Sequence, residues 1–162
     1  MSPRRTATAP VPPASGAEGL ALDAQLCFSL YSASLAMNKL YRGLLASLGL
    51  TYPQYLVMVV LWEQEGLRVQ EIGERLYLDS ATLTPLLKRL EKAGLVRRAR
   101  STDDERSVLV SLTAAGRSLK RRAQAVPPQV LCAMFAPSEQ TSGAASLQKS
   151  LRRLRDRLLA AG

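Results

Sequence analysis

The sequence has no histidine among its 162 residues. This absence excludes a Ser-His-Asp or Cys-His catalytic pair, because each needs an imidazole to accept a proton. It also removes most catalytic zinc and non-haem iron sites, since these bind the metal through imidazole. The two cysteines are too few for a four-cysteine zinc site. We therefore expect no metal site and no cofactor.

Long apolar runs are also absent from the sequence. The longest, YLVMVVLW at 55–62, is far shorter than the roughly 20 residues that cross a bilayer as a helix. Residues 1–19 are rich in Ala, Pro, Ser and Gly but lack the apolar run of a signal peptide. We expect a cytoplasmic protein that has no membrane partner and begins with a disordered tail over 1–19.

What the chain does have is an excess of basic residues. It contains 22 Lys and Arg against 13 Asp and Glu, which gives a formal net charge of +9. The hydrophobic fraction of 47% is enough for one domain with a sizeable core. A basic protein of this kind most often binds nucleic acid. Binding to acidic lipid and a basic surface without an anionic partner are the alternatives.

The first part of the chain is patterned as helices. Apolar residues at helical spacing predict a first helix over 22–48 and a second over 53–64, which begins at a proline. A short amphipathic helix over 69–78 and a further helix over 80–93 follow, separated by a tight turn. Two short helices joined in this way form a helix-turn-helix.

The pattern then changes to strands. Residues 95–96 and 107–112 have the composition of strands, and a charged, turn-forming tip, STDDER, separates them. A β-hairpin directly after a helix-turn-helix is called a wing. A helix over 114–126 follows the wing, Pro127-Pro128 interrupts it, and a last helix is predicted over 138–160.

With this order of elements the chain resembles the multiple antibiotic resistance regulator (MarR) family of winged-helix repressors. DERSVLVSLT (104–113) is similar to the family's D-x-R…L-T wing pattern, and GLVRR (94–98) fits the segment before it. Three further stretches resemble a thiol-based branch of that family, the organic hydroperoxide resistance regulators. They are QLCFSLYSAS (25–34), LTYPQYLVMVVLWE (50–63) and LYLDSATLTPLLKRLE (76–91).

The resemblance implies a mainly α fold with a small β-hairpin wing. We predict a single domain over 20–162, in which 51–113 form the winged helix-turn-helix and 20–50 with 114–162 form dimerisation helices. One winged helix gives a small interface with DNA, so specific binding usually needs two half-sites. We therefore expect a homodimer on a pseudo-palindromic, double-stranded operator, acting as a transcriptional repressor and not as an enzyme.

The helix over 80–93 carries short hydroxyls near its start and basic residues near its end. The predicted contacts with DNA on this helix are Ser80, Thr82, Thr84, Lys88 and Arg89. Hydroxyls suit base edges and phosphates, whereas Lys88 and Arg89 suit the phosphate backbone. The alternative interpretation is an amphipathic surface helix with solvated ends.

The wing adds further candidate contacts. Arg100 belongs to its basic set, and Asp104 has a carboxylate that can hold a neighbouring arginine through two hydrogen bonds. The resemblance implies that Arg106 is the residue that enters the minor groove. Alternatively, these charges form only a solvated network within the hairpin.

Cys27 lies on a helix face that is mostly apolar, where a free cysteine is usually an inert, buried filler. Reactivity needs the thiolate, and a tyrosine hydroxyl that donates to it lowers the thiol pKa. Tyr31, four residues on, shares its face. Tyr41 lies about 21 Å further along the helix and cannot reach its own Cys27. An antiparallel copy of the helix can bring Tyr41 to the partner's cysteine, and Tyr52 can join it.

The resemblance implies roles for these residues. Cys27 aligns with the peroxide-reacting cysteine, Tyr41 and Tyr52 with tyrosines that hydrogen-bond it across the dimer, and Tyr31 with another tyrosine nearby. Cys132 matches a second cysteine that, from the partner subunit, forms a disulfide with the oxidised Cys27. The inducer is then an organic hydroperoxide.

Four other interpretations stay open at this point. Cys132 can be an apolar filler, and the tyrosines can be ordinary core residues. The protein can also be a repressor of the same family that responds to an apolar or phenolic ligand. A thiol peroxidase is the candidate from a different class, but no thioredoxin-like βαβ pattern supports it.

Overall fold

The computed structural model describes residues 20–100 and 107–161. The helices are α1 (Leu26–Leu45), α2 (Tyr52–Glu63), α3 (Val69–Leu76), α4 (Ser80–Lys92), α5 (Ala114–Ala123), α6 (Val126–Met134) and α7 (Ser142–Ala161). The strands are β1 (Leu67–Arg68), β2 (Val96–Arg100) and β3 (Val108–Leu112). Short 3-10 turns precede and follow α1, and the chain divides into two compact units between Met37 and Asn38. The predicted fold class, mainly α with a small antiparallel sheet, is confirmed.

The first unit contains the 3-10 turn at Leu22–Ala24 and the beginning of α1. None of its described residues is buried in the single chain. Large apolar side chains on it are exposed, namely Leu20, Leu22, Leu26, Tyr31 and Leu35. An exposed apolar surface of this kind is typical of an interface with a partner.

The second unit contains the core, with α2 at its centre. This helix is apolar on nearly all sides, and Val57, Met58 and Leu61 are inaccessible to solvent. It packs against α3, α4 and α5. A helix without a polar face needs neighbours all round, which explains why the other elements assemble on it.

The sheet has three antiparallel strands in the order β1-β3-β2. Leu67 of β1 pairs with Val110 of β3, and Val96 of β2 pairs with Leu112. The sequence predicted only the two strands of the wing, because the two residues of β1 are too few to show an alternating pattern. Pairing of β1 with β3 joins the wing to the start of α3.

The prediction for the chain after the wing was wrong in one respect. Pro127 and Pro128 do not separate two distant helices but lie in the first turn of α6. The first turn has no intrahelical partner for its N–H groups, so proline is tolerated there. Three helices therefore follow the wing instead of two, and the last begins at Ser142. The division of roles among 20–50, 51–113 and 114–162 stays a prediction.

The helices were compared with the length and hydropathy that a membrane-spanning helix needs. Within 20–100 and 107–161, no single helix is long and apolar enough to cross a bilayer. The bent pair Leu26–Leu48 and Tyr52–Glu63 meets the length and hydropathy criteria only when both are taken together.

Candidate DNA interface and thiol site

The start of α4 is held by its capping residue. Asp79 accepts a hydrogen bond from the backbone N–H of Thr82 at 2.7 Å, and this bond lowers the pKa of its carboxyl. Ser80 and Thr82 are exposed on the first turn, as the sequence predicted. Thr84 is half-buried, and its hydroxyl donates to the carbonyl of Ser80 at 2.6 Å. Its oxygen is left as an acceptor, so Thr84 is a weaker candidate for DNA contact than the other two hydroxyls.

The rest of α4 separates a buried face from a basic one. Leu83, Leu87 and Leu90 are buried in the core, at the spacing of one helix face. Lys88 and Arg89 are exposed, as expected for residues that bind the DNA backbone. The short turn before α4 packs closely on α3, because a Cβ on Gly73 would lie 2.7 Å from the carbonyl oxygen of Leu78. This close contact holds α3 and α4 together as a helix-turn-helix.

A polar cleft of about 480 Å³ lies between the helix-turn-helix and the base of the wing. Its lining residues come from five elements or their edges: Arg68, Val69, Gln70, Ser80, Thr84, Leu87, Arg98, Ser107 and Val108. Arg68 and Gln70, at the start of α3, were not among the predicted DNA contacts. The sequence feature that could have pointed to them is Glu71. Its carboxylate accepts from the backbone N–H of Arg68 at 2.6 Å, a capping contact that places Arg68 and Gln70 at the start of α3.

The described part of the wing carries its arginines on β2. Arg97 and Arg100 are exposed, and Arg100 pairs with Val108 at the end of the strand that leads to the tip. The tip itself, 101–106, lies outside the described residues, so the roles predicted for Asp104 and Arg106 stay predictions.

Thr113 joins the end of the helix-turn-helix to α5. Its hydroxyl donates to the carbonyl of Gly94 at 2.6 Å and accepts from the backbone N–H of Gly116 at 3.0 Å. The indole of Trp62 donates to the carbonyl of Gly116 at 2.9 Å. A Cβ on Gly116 would lie only 2.1 Å from the carbonyl oxygen of Leu95, so this position requires glycine.

Tyr41 and Tyr52, two of the predicted thiolate partners, lie together in the second unit. Their ring centroids are 4.1 Å apart, and the ring of Tyr55 lies 6.0 Å from that of Tyr41. Burial, the neighbouring phenols and a hydrogen bond to Tyr52 raise the pKa of Tyr41 to about 12. Burial also raises the pKa of Tyr52. In the hydrogen bond between them Tyr41 is the donor and Tyr52 the acceptor, so the hydroxyl proton of Tyr52 is the one directed elsewhere.

Both cysteines are free thiols and are exposed in the single chain. Cys27 lies in the first unit beside Phe28, and the ring of Phe28 is 6.5 Å from that of Tyr31. Cys132 lies in the second unit on α6, where the amide of Gln140 donates to its sulfur at 3.5 Å. Neither side chain is buried in the single chain.

The helices α6 and α7 leave an apolar groove of about 670 Å³ open. Its floor consists of Leu131, Met134, Phe135, Leu147 and Leu151. Four of these five are exposed in the single chain, and Leu158 and Leu159 extend the apolar surface along α7. This surface is the second one in the chain that is typical of an interface.

Comparisons with known proteins agree with this fold. Residues 39–123 match the family of transcriptional regulators SarA/Rot. Over 110 residues the chain is 56% identical to the organic hydroperoxide resistance transcriptional regulator of Bacillus subtilis. The match covers 68% of this chain and 75% of that protein. The chain belongs to the MarR family, in its organic hydroperoxide resistance branch.

This MarR-family chain is also 61% identical over 109 residues to the HTH-type transcriptional regulator TtmR of Methylorubrum extorquens. That match covers 67% of this chain but only 56% of the relative, so the chain spans little more than half of TtmR. Among solved structures it is similar to reduced AbfR bound to DNA, with 32% identity, a TM-score of 0.73, and coverage of 88% of this chain and 98% of that one.

AbfR comes from Staphylococcus epidermidis, and its disulfide-formed structure is also similar to this chain. There the identity is 36%, the TM-score is 0.60, and the match covers 85% of this chain and 94% of that one. With the winged helix and these relatives, the chain is a DNA-binding transcriptional regulator.

Proposed function

We propose that this regulator is a cytoplasmic homodimeric repressor that binds a pseudo-palindromic operator when reduced and releases it after an organic hydroperoxide oxidises Cys27. The observation that carries the proposal is the Tyr41–Tyr52 pair, whose rings lie 4.1 Å apart, together with an exposed Cys27 thiol in the same chain. Phenol hydroxyls can donate to a thiolate of the partner subunit. The name of the Bacillus subtilis relative supports the choice of oxidant.

The chemistry needs only the two thiols and the peroxide. The Cys27 thiolate attacks the terminal peroxide oxygen, the O–O bond breaks, and sulfur becomes a sulfenic acid that keeps the peroxide hydrogen. The alkoxide leaves and takes a proton from water to become the alcohol. The thiol of Cys132 from the partner subunit then attacks that sulfur. A disulfide forms, and the hydroxyl of the sulfenic acid leaves as water with the proton of the Cys132 thiol.

A dimer supplies the contacts that a single chain lacks. The apolar surfaces on the first unit and along α6 and α7 are candidates for the dimer interface. Two-fold symmetry allows Tyr41 and Tyr52 of one subunit to serve Cys27 of the other. A disulfide requires the two Cα atoms within about 7 Å, so its formation shifts any helices that hold the thiols further apart. The disulfide-formed state of AbfR is consistent with such a step in a related protein.

On the operator we propose that α4 contacts base edges and phosphates and that the wing adds further basic contacts. Ser80 and Thr82 lie on the first turn of α4 and meet base edges or phosphates, whereas Lys88 and Arg89 bind the backbone. Thr84 is left as an acceptor and meets only donors on base edges. Arg100 extends the basic surface onto the wing towards Arg106. Asp104 orients the arginine at the tip. Contacts of this kind position the protein by charge and read sequence at the first turn of the helix.

A non-reducing gel tests the proposal directly. We expect reduced wild-type protein to give a reducible dimer band after one equivalent of an organic hydroperoxide, and Cys27→Ser and Cys132→Ser to give none. No band together with an unchanged mass at Cys27 would contradict the redox mechanism. If Cys27→Ser then answered an apolar or phenolic ligand as wild type does, the regulator would be a ligand-induced repressor.

A further inference from the structure

One ion pair joins the end of α4 to the wing. The carboxylate of Glu91 accepts from the side chain of Arg98 through Nε at 2.9 Å and Nη2 at 2.6 Å. Its second oxygen accepts from the backbone N–H of Arg98 at 3.0 Å. These bonds lower the pKa of Glu91, so the pair is ionised at neutral pH. Three bonds from one side chain to one residue hold both the guanidinium and the strand backbone.

The backbone of Arg98 is also held by the sheet. It pairs in the ladder with Val110, whose side chain is fully buried in the core. Alternate residues of a strand project to the same face, so Arg98 and Arg100 lie on one side of β2. The bond to Glu91 therefore ties the strand that carries Arg100 to the end of α4.

Glu91 also lies beside the candidate DNA contacts of α4. It follows Lys88 by three residues, a spacing that makes the two neighbours on the helix surface. The guanidinium of Arg98 is engaged by a carboxylate and is thus a poor ligand for a phosphate. Arg98 can therefore act on DNA binding only by holding β2 against the end of α4.

We propose that Glu91 is a positioning residue for DNA binding, which through Arg98 sets the angle between α4 and the wing so that both contact DNA in one register. This inference rests on the proposed contact of α4 and the wing with DNA. It does not depend on the peroxide chemistry, and it is tested on the reduced protein.

Simple electrostatics predicts the opposite sign. Removing a carboxylate beside a DNA-binding helix raises the positive charge of each subunit and should tighten binding to any duplex. A positioning role predicts weaker binding to the preferred duplex. The two accounts therefore separate on the direction of a single change.

The matched control is Glu65→Ala. Glu65 makes the same kind of pair with Arg117, through Nε at 2.8 Å and Nη2 at 2.7 Å, but joins the end of α2 to α5 and not to the wing. Glu91→Ala and Glu65→Ala make the same change in charge and remove the same kind of surface ion pair. Only the first removes a bond between α4 and β2.

The experiment measures binding of reduced protein, by fluorescence anisotropy at one salt concentration, to two duplexes. One is selected from a random pool by the wild-type protein, and the other is a scrambled duplex of equal length. We expect Glu91→Ala to lose roughly fivefold or more in affinity for the selected duplex, within the range of coupling between contacting residues. Binding to the scrambled duplex should be unchanged or tighter. Glu65→Ala should not lose affinity for either duplex.

Arg98→Lys provides a second variant, since it keeps the charge but has no guanidinium fork. We expect it to lose part of the affinity for the selected duplex that Glu91→Ala loses, because the bond from the backbone N–H of residue 98 remains. Wild-type affinity in Arg98→Lys, or equal behaviour of Glu91→Ala and Glu65→Ala, would overturn the inference. Failure of the wild-type protein to prefer any duplex would instead refute the proposed operator binding.

Discussion

Gly116 offers the sharpest test of the packing that supports the wing. A Cβ at this position would lie 2.1 Å from the carbonyl oxygen of Leu95 and 3.2 Å from a methyl of Leu112. The nearest atom belongs to the backbone and cannot move by rotating a side chain. Gly116→Ala therefore forces α5 away from the end of the helix-turn-helix.

The magnitude follows from what that shift breaks. Overpacking of a core typically costs about 1–3 kcal/mol. The shift also strains the bonds from Trp62 and Thr113 to the backbone of Gly116, at about 1 kcal/mol each. Alanine in place of glycine within a helix stabilises the helix by up to about 1 kcal/mol, which offsets part of this loss. We expect Gly116→Ala to lower the free energy of unfolding by roughly 2–4 kcal/mol.

Urea unfolding of the reduced protein at one fixed protein concentration measures this change, because the stability of a dimer depends on concentration. Ser118→Ala is the control, since Ser118 is exposed two residues further along the same helix. We expect it to be neutral or slightly stabilising. A Gly116→Ala protein as stable as this control would refute the close packing of α5 on Leu95.

Four further predictions concern the cap, the Tyr41 phenol and the charge. Thr113→Val removes the bonds to Gly94 and Gly116, so the free energy of unfolding should fall by about 1–2 kcal/mol in urea; an unchanged midpoint would contradict the capping role. The folded state raises the pKa of Tyr41 to about 12 from an ordinary 10.0. The stability that this shift contributes is complete below pH 10 and is lost as the pH rises towards 12. In thermal unfolding at alkaline pH, Tyr41→Phe should therefore lose less stability than wild type does. The same variant should slow oxidation of Cys27 by hydroperoxide in stopped-flow assays, and an unchanged rate would remove the phenol from the mechanism. Operator affinity should fall steeply with salt, and a flat dependence would argue against phosphate contacts.

Helices with a buried face were predictable from the sequence. The helix predicted over 80–93 is observed as Ser80–Lys92, because Leu83, Leu87 and Leu90 form one continuous buried face. Periodicity reports such a face directly. The second strand of the wing, predicted over 107–112, is observed as Val108–Leu112, whereas the first was predicted only over 95–96 and is observed as Val96–Arg100, because three arginines hide its pattern.

Elements defined by tertiary pairing were not predictable. The strand β1 exists because Leu67 pairs with Val110, which lies 43 positions away in the chain, and its two residues carry no local pattern. The helix α6 was missed because Pro127 and Pro128 indicate a break as readily as a first turn. Which of the two occurs depends on the packing of Val126 and Val130 in the core.

The candidate site shows the same division. The resemblance pointed to Tyr41 and Tyr52 as a pair, and the structure brings their rings together across the turn between α1 and α2. The bond between Glu91 and Arg98 crosses a helix–strand boundary, where neither the helical nor the strand period applies. The pairing of Cys27 with Cys132 requires a second subunit and stays a prediction.

The most direct test of the redox account measures operator binding and thiol state on the same sample. Reduced protein on its selected duplex is treated with one equivalent of an organic hydroperoxide, and anisotropy and intact mass are followed together. We expect release of DNA to coincide with a disulfide between Cys27 and Cys132 of two subunits, and dithiothreitol to restore binding. Release of DNA with both thiols still free, or equal release from Cys27→Ser, would contradict the account.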